Sequence, residues 1–249
     1  MFIDIVQLTL LLMINAVSLI ATAYAFRLLF EIRKHKESSA KMIISKTFFL
    51  FCVSVMLITV GDLFWTIYEQ VMGINPYPSI ADVFYSAGYI AMIAGFAYLD
   101  FSLLKVEKNI KTPLMRLAVT SILALAVTFW IIDMLVLPSQ EWSSSLEATF
   151  DIFYPVLSAL LITFSSQIYF LFRKNSISTP LLFMMLGAIL IYLGDITLSY
   201  YTWNDSYGLV GIISDSAYLL SYIMFALAFN KFFRTLQGRR PANSNYIND

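Results

Sequence analysis

Seven long apolar stretches divide the chain, and they constrain its fold more than any other feature. Each is long enough to cross a hydrocarbon core of about 30 Å, which takes ~20 helical residues. Helices are expected because the core offers backbone polar groups no water. The sequence therefore predicts an all-α integral membrane protein with seven transmembrane helices. The helices are placed near residues 5–29, 43–71, 81–104, 114–137, 146–171, 178–203 and 210–232.

The distribution of charge predicts how these helices cross the membrane. All 16 Lys and Arg residues lie in or beside the loops after stretches 1, 3 and 5, or at the end of stretch 7. The positive-inside rule makes that side cytoplasmic. We therefore expect the N-terminus outside, the C-terminus in the cytoplasm and a multi-pass protein of the plasma membrane. The transmembrane domain is predicted over residues 1–233, and the polar residues 234–249 are predicted to form a disordered cytoplasmic tail.

Composition argues against several classes of function. The formal net charge is zero, which argues against nucleic-acid partners. A single cysteine, Cys52, permits no internal disulfide, and the only histidine is His35 in a basic loop. Zinc and iron sites of the usual kind are therefore not expected.

An internal repeat appears when the chain is shifted by 133 residues. Gly61-Asp62 then aligns with Gly194-Asp195, and no gap is needed. The other aligned pairs are Tyr68/Tyr201, Asp82/Asp215, Tyr85/Tyr218, Tyr89/Tyr222 and Phe96/Phe229. Helices 2–3 and 6–7 are therefore interpreted as parallel helix-hairpin repeats, related by an axis along the membrane normal. Helices 4–5 are a weaker third copy, in which Asp151 and Tyr154 repeat the spacing of Asp82 and Tyr85.

The repeat brings out six aspartates near the outer ends of their helices. Because a charge at membrane depth is costly, carboxylates there suggest a functional pocket open to the outside. Tyrosines at i+3 or i+7 from the aspartates that begin inward-going helices share a helix face with them. The predicted ligand-binding residues are Asp62, Asp82, Asp133, Asp151, Asp195, Asp215, Tyr85, Tyr89, Tyr154, Tyr218, Tyr222 and Trp65. No catalytic residue is assigned.

Helix capping is the alternative explanation for half of these aspartates. Asp82 ends the pattern Ser79-Ile-Ala-Asp82, which is typical of a capping box. Asp151 and Asp215 also begin helices, where the helix dipole favours a negative charge. Asp62 and Asp195 lie near helix C-termini, where the dipole disfavours them, so they are the stronger functional candidates.

No basic residue lies on the outer side to neutralise the carboxylates, so we expect protons, a metal ion or a cationic ligand to do so. Oxygen ligands suit a hard cation such as calcium, magnesium or sodium, and a metal would be held by Asp62, Asp82, Asp195 and Asp215. The aromatic neighbours equally suit a small cationic ligand, through cation–π contact.

Residues 61–69, GDLFWTIYE, and 76–89, PYPSIADVFYSAGY, carry a family resemblance. They are similar to seven-helix membrane input modules that precede GGDEF and EAL signalling domains in some prokaryotes. The resemblance implies a sensory module that binds a stimulus outside and signals inward. No output domain is expected after helix 7, so signalling would require a separate cytoplasmic or membrane partner.

Two other functions stay open at the level of sequence. Parallel repeats also fit a cation or small-solute transporter of the SWEET or PQ-loop kind, although the chain has no Pro-Gln pair. An intramembrane metal-dependent hydrolase is the third possibility. Ceramidase-like enzymes of that class carry several intramembrane histidines, which this sequence lacks.

Overall fold

The computed structural model describes residues 2–34, 39–104, 111–136, 145–203 and 208–238, and these contain helices but no β-strand. Within them, seven helices are long and apolar enough to cross a membrane, with mean hydropathies of 1.5–2.2. The predicted all-α, seven-helix class is thus confirmed. The helices are α1 Phe2–Lys34, α2 Ser39–Thr66, α3 Ile80–Leu104, α4 Lys111–Ile131, α5 Ser145–Phe172, α6 Ser178–Trp203 and α7 Gly208–Gly238. Single π-helical turns, Ile67–Val71 and Ile132–Val136, extend α2 and α4.

Several helices run beyond their apolar stretches. The structure continues α1 to Lys34 and α7 to Gly238, past the predicted ends at 29 and 232. Hydropathy marks the apolar length of a helix, whereas backbone hydrogen bonding continues into polar turns. The first five residues of the predicted tail, 234–238, belong to α7, and residues 239–249 lie outside the described residues.

Six of the helices close into a ring in the order α1, α2, α3, α5, α6, α7. Helix α4 packs outside this ring on α5, and its π-helical turn reaches α6. We call the end at which α1, α3, α5 and α7 begin the acid end, and the opposite end the basic end. Phe51, Phe96, Phe225 and Phe229 are almost fully buried between the middle of the ring and the basic end.

Glycine allows the paired helices to approach closely at the acid end. A Cβ added at Gly61 would lie 2.7 Å from Cε1 of Tyr85, and one at Gly194 would lie 2.7 Å from Cε1 of Tyr218. Such distances are too short for a real contact, so each tyrosine ring lies against a helix because no side chain intervenes. The same close approach therefore occurs in the α2–α3 and α6–α7 hairpins.

Helix α5 contains a proline that is compensated by a neighbouring helix. Pro155 has no N–H to donate to the carbonyl of Asp151, one turn earlier. The hydroxyl of Ser199 on α6 donates to that carbonyl over 3.0 Å. A polar contact between α5 and α6 thus replaces the missing helical hydrogen bond.

We expect Gly61→Ala and Gly194→Ala each to lower the free energy of unfolding by roughly 1–3 kcal/mol, because the new methyl group displaces a packed tyrosine. Thermal unfolding in detergent measures the loss. Gly187→Ala is the matched control: its Cβ would lie 3.1 Å from Phe225, so a smaller shift suffices. Equal effects at all three positions would contradict this explanation.

Candidate ligand-binding site

A cavity of about 70 Å³ lies inside the ring towards the acid end. Every helix of the ring contributes to its wall, and no lysine, arginine or histidine lines it. Its polar and aromatic lining residues are Asn15, Asp62, Trp65, Thr66, Asp82, Tyr85, Tyr89, Tyr154, Asp195, Asp215, Tyr218 and Tyr222. The structure therefore brings together ten of the twelve residues predicted to bind ligand.

Asp62 is buried, and tyrosines from two helices bind it. Tyr85 on α3 donates to its Oδ1 over 3.0 Å, and Tyr222 on α7 donates to the same atom over 3.2 Å. Ser18 lies nearby on α1, but its hydroxyl donates to the carbonyl of Asn15. Oδ2 of Asp62 is buried without a hydrogen-bond partner in the described part of the chain.

Asp195 is bound in the same manner, with both of its oxygens used. Tyr218 on α7 donates to Oδ1 over 2.8 Å. Tyr89 on α3 lies 2.8 Å from Oδ1 and 3.0 Å from Oδ2. Each of the two aspartates thus takes one donor from its own hairpin and one from the other hairpin.

The contacts of the two aspartates are related by the shift of 133 residues. The pair Tyr85–Asp62 becomes Tyr218–Asp195, and the cross-hairpin donor Tyr222 becomes Tyr89. Burying a carboxyl group without donors is costly, and the tyrosines remove much of that cost. The aligned residues are therefore the ones that join the two hairpins.

Asp82 has both a capping and a lining role. Its Oδ2 accepts from the backbone N–H of Ser79 at 2.6 Å, and the Ser79 hydroxyl accepts from the N–H of Ala81 at 3.1 Å. This is the capping box that the sequence indicates. Oδ1 of Asp82 accepts from Tyr154 of α5 at 2.7 Å at the cavity wall. Capping and site formation are therefore combined in one side chain.

Two predicted site residues do not line the cavity. Asp151 is buried behind it and accepts a 2.6 Å hydrogen bond from Tyr77, in the loop that follows α2. Burial, reinforced by the Asp151 carboxyl group, raises the pKa of Tyr77 well above its usual range. Asp133 is exposed on the π-helical turn after α4. Because α4 lies outside the ring, Asp133 is not brought to the cavity that the other aspartates line or adjoin.

Three residues that the sequence analysis did not single out also matter here. Asn15 and Thr66 line the cavity, and the amide of Asn15 donates to the hydroxyl of Thr66 at 2.7 Å. Asp100 is fully buried in the basic half of α3, and neither of its oxygens has a hydrogen-bond partner among the described residues. The sequence signal that could have identified all three is a polar side chain inside a long apolar stretch.

The carboxyl groups of the cavity do not form a compact metal site. Among the described residues, no three His, Cys, Asp or Glu side chains are close enough together to hold a metal ion. The arrangement in which Asp62, Asp82, Asp195 and Asp215 jointly ligate a cation is therefore absent from this conformation. Asp62, Asp82 and Asp195 each accept hydrogen bonds from tyrosine hydroxyls instead.

Comparison with known proteins adds no assignment. No family model matches the chain, and no curated protein or solved structure matches it.

We expect Tyr89→Phe to destabilise the protein by about 1–3 kcal/mol, because it leaves Oδ2 of Asp195 without its donor. Tyr222→Phe is the control related by the repeat: it removes only the longer of two hydrogen bonds to Oδ1 of Asp62. Its cost should be smaller. Thermal unfolding in detergent compares the two variants, and the reverse order would contradict the assigned hydrogen bonds.

Proposed function

We propose that the protein is a membrane-embedded sensory or ligand-binding module whose cavity binds a small cation or cationic ligand. The observation that carries the proposal is the charge of the cavity wall. Four carboxyl groups line it, Asp62, Asp82, Asp195 and Asp215, without a basic side chain among the lining residues. The aromatic rings of Trp65 and the tyrosines add surfaces that attract cations.

Electrostatics explains why such a wall favours a positive charge. Carboxylates that share a region of low dielectric constant repel one another. The tyrosine hydroxyls donate hydrogen bonds but carry no positive charge. A cation in the cavity would relieve the repulsion between the carboxylates, because each of them attracts it.

The sensory assignment is supported by where the resemblance residues lie. Asp62, Trp65, Asp82, Tyr85 and Tyr89 come from the two segments similar to GGDEF- and EAL-associated input modules, and all five line the cavity. Helices α3 and α7 run from this wall to the basic end. A change in their packing on binding would reach a separate signalling partner in the cytoplasm or membrane.

The orientation and the repeats belong to the same proposal. We place the acid end outside the plasma membrane, so that the cavity takes its ligand from the external side. The duplicated unit is larger than a hairpin: α1 with α2–α3, and α5 with α6–α7. Ser18 on α1 lies beside Asp62, as Ser158 on α5 lies beside Asp195. The contacts give no support to α4–α5 as a third copy, because α4 lies outside the ring.

A cation panel tests the proposal. At least one mono- or divalent inorganic or organic cation should raise the unfolding temperature of the purified protein, since a ligand at 100 times its Kd stabilises by ~2.7 kcal/mol. Asp62→Asn combined with Asp195→Asn should remove the response.

Asp133→Asn is the matched control, because Asp133 is exposed and lies outside the cavity. It should leave the response to the cation unchanged. If no cation stabilises the wild-type protein at any pH tested, the proposed function fails.

A cation carrier is the second candidate, and a deeper cavity favours it. A space of about 10 Å³, room for roughly one water molecule, lies closer to the basic end. Ser18 and Thr59 line it, and it shares Ile58 and Tyr222 with the larger cavity. Spaces placed one beyond another along the bundle are what a permeation path needs, although Ala21, Val55, Ile58, Met92 and Phe225 make the wall of the deeper space mostly apolar. No observation on the described residues favours the hydrolase.

Liposome flux distinguishes the carrier from the sensor. A carrier should take up the stabilising cation into sealed vesicles, and the Asp62→Asn, Asp195→Asn double variant should abolish the uptake. Binding without uptake above protein-free liposomes would exclude the carrier and leave the sensory module. Asp133→Asn again serves as the control that should retain uptake.

A further inference from the structure

We infer that the ligand presents a primary ammonium group and that Asp62 and Asn15, on the α1–α2 side of the cavity, receive its N–H donors. This inference rests on the proposed cation-binding function and names the chemical class of the cation. It follows from unequal hydrogen bonding in two otherwise equivalent halves.

Asp62 and Asp195, which each accept hydrogen bonds from two tyrosines, differ in the hydrogen bonding of their second oxygen. Tyr218 donates to Oδ1 of Asp195, and the single hydroxyl hydrogen of Tyr89 is within reach of both oxygens, so each oxygen of Asp195 has a donor. Asp62 receives both of its tyrosine donors on Oδ1, and its Oδ2 is buried without a partner in the described structure. Although the tyrosines are related by the repeat, only the Asp62 half keeps a carboxylate oxygen for an additional donor.

Asn15, which is joined to Asp62 through Thr66, supplies a second acceptor. Its amide nitrogen donates to the carbonyl of Leu11 at 2.8 Å and to the hydroxyl of Thr66 at 2.7 Å. Since that carbonyl can only accept, the amide orientation is fixed. Thr66 donates in turn to the carbonyl of Asp62 at 2.9 Å. Oδ1 of Asn15 is left buried without a partner among the described residues.

Two buried acceptors without donors, on residues that line the same cavity, indicate what the cavity binds. Asp62 and Asn15 are only 6% and 8% exposed, and both line the cavity. A buried acceptor without a hydrogen bond is costly, so a group that donates twice is favoured. An ammonium group has a positive charge and three donors. A quaternary amine has the charge without the donors, and an alcohol has one donor without the charge.

The size and lining of the cavity fit a short alkylammonium ion. The cavity has a volume of about 70 Å³, and by the same measure one water molecule needs roughly 10–15 Å³. The cavity therefore has room for a handful of non-hydrogen atoms. Ile14, Ile58 and Trp65 provide apolar contact for a short carbon chain. Calcium, by comparison, requires six to eight oxygen ligands, and the carboxyl groups are not gathered for that.

Binding by the purified full-length protein in detergent tests the inference. The probes are methylammonium, n-propylammonium, tetramethylammonium, 1-propanol, sodium and calcium, each measured by thermal shift and calorimetry. We expect the two primary ammonium ions to bind at least about tenfold more tightly than tetramethylammonium and 1-propanol. This comparison uses the wild-type protein and needs no variant to fold.

Three variants locate the site. Asp62→Asn should weaken n-propylammonium binding at least about tenfold, and Asp195→Asn should weaken it less, because its oxygens are already bonded. Asn15→Leu keeps the net charge and should weaken binding by about three- to tenfold. If Asp62→Asn fails to fold, the Asn15→Leu result decides the location.

The results separate this inference from the proposed function. Binding of tetramethylammonium as tightly as n-propylammonium, or of sodium or calcium alone, would overturn the ammonium assignment and leave a cation site. An equal or larger loss in Asp195→Asn, or no loss in Asn15→Leu, would overturn the location. If no probe binds and no other cation stabilises the protein, the cation-binding function itself fails.

Discussion

Two carboxyl groups inside a ring of apolar helices require hydrogen-bond donors, and the acid half of the structure depends on how tyrosines supply them. Each donor to Asp62 or Asp195 comes from another helix, one from the same hairpin and one from the opposite hairpin. Sliding or rotating one hairpin would break hydrogen bonds in both halves and leave buried charge without donors. The cost of burial thus fixes the relative position of the hairpins, with Gly61 and Gly194 permitting the contact.

This coupling explains why one set of residues both packs the helices together and lines the cavity for which ligand binding is proposed. Tyr85 and Tyr222 stabilise Asp62 through its Oδ1, and they also form part of the cavity surface. A ligand that enters the cavity therefore meets the same side chains that hold the helices together. Binding and helix packing share interactions, which is the physical requirement for a module that transmits occupancy to its other end.

Periodicity and repetition were sufficient to predict the helices and most of the cavity. Hydropathy identifies seven segments because lipid demands long apolar helices. The 133-residue shift selects Asp62, Asp195 and their tyrosines because hydrogen-bonded partners must be kept together. Which helix packs outside the ring was not predictable from the sequence. All seven helices are apolar around most of their surface, so no polar face distinguishes α4 from the six helices of the ring. For that reason Asp133 was expected to converge with the other aspartates, whereas the structure places it on the exposed turn after α4. Asn15 escaped notice because a lone amide in an apolar stretch has no repeated counterpart.

The number of membrane crossings explains why the chain contains α4. Three crossings leave a chain on the side opposite its start, yet α5 begins at the same end of the bundle as α1 and has the equivalent neighbours in the ring. One additional crossing is needed to bring the chain back, and α4 provides it while packing on the outside of α5. The sequence of α4 is therefore constrained by its length and its solubility in lipid more than by packing against other helices. We expect this helix to tolerate apolar substitution better than any helix of the ring.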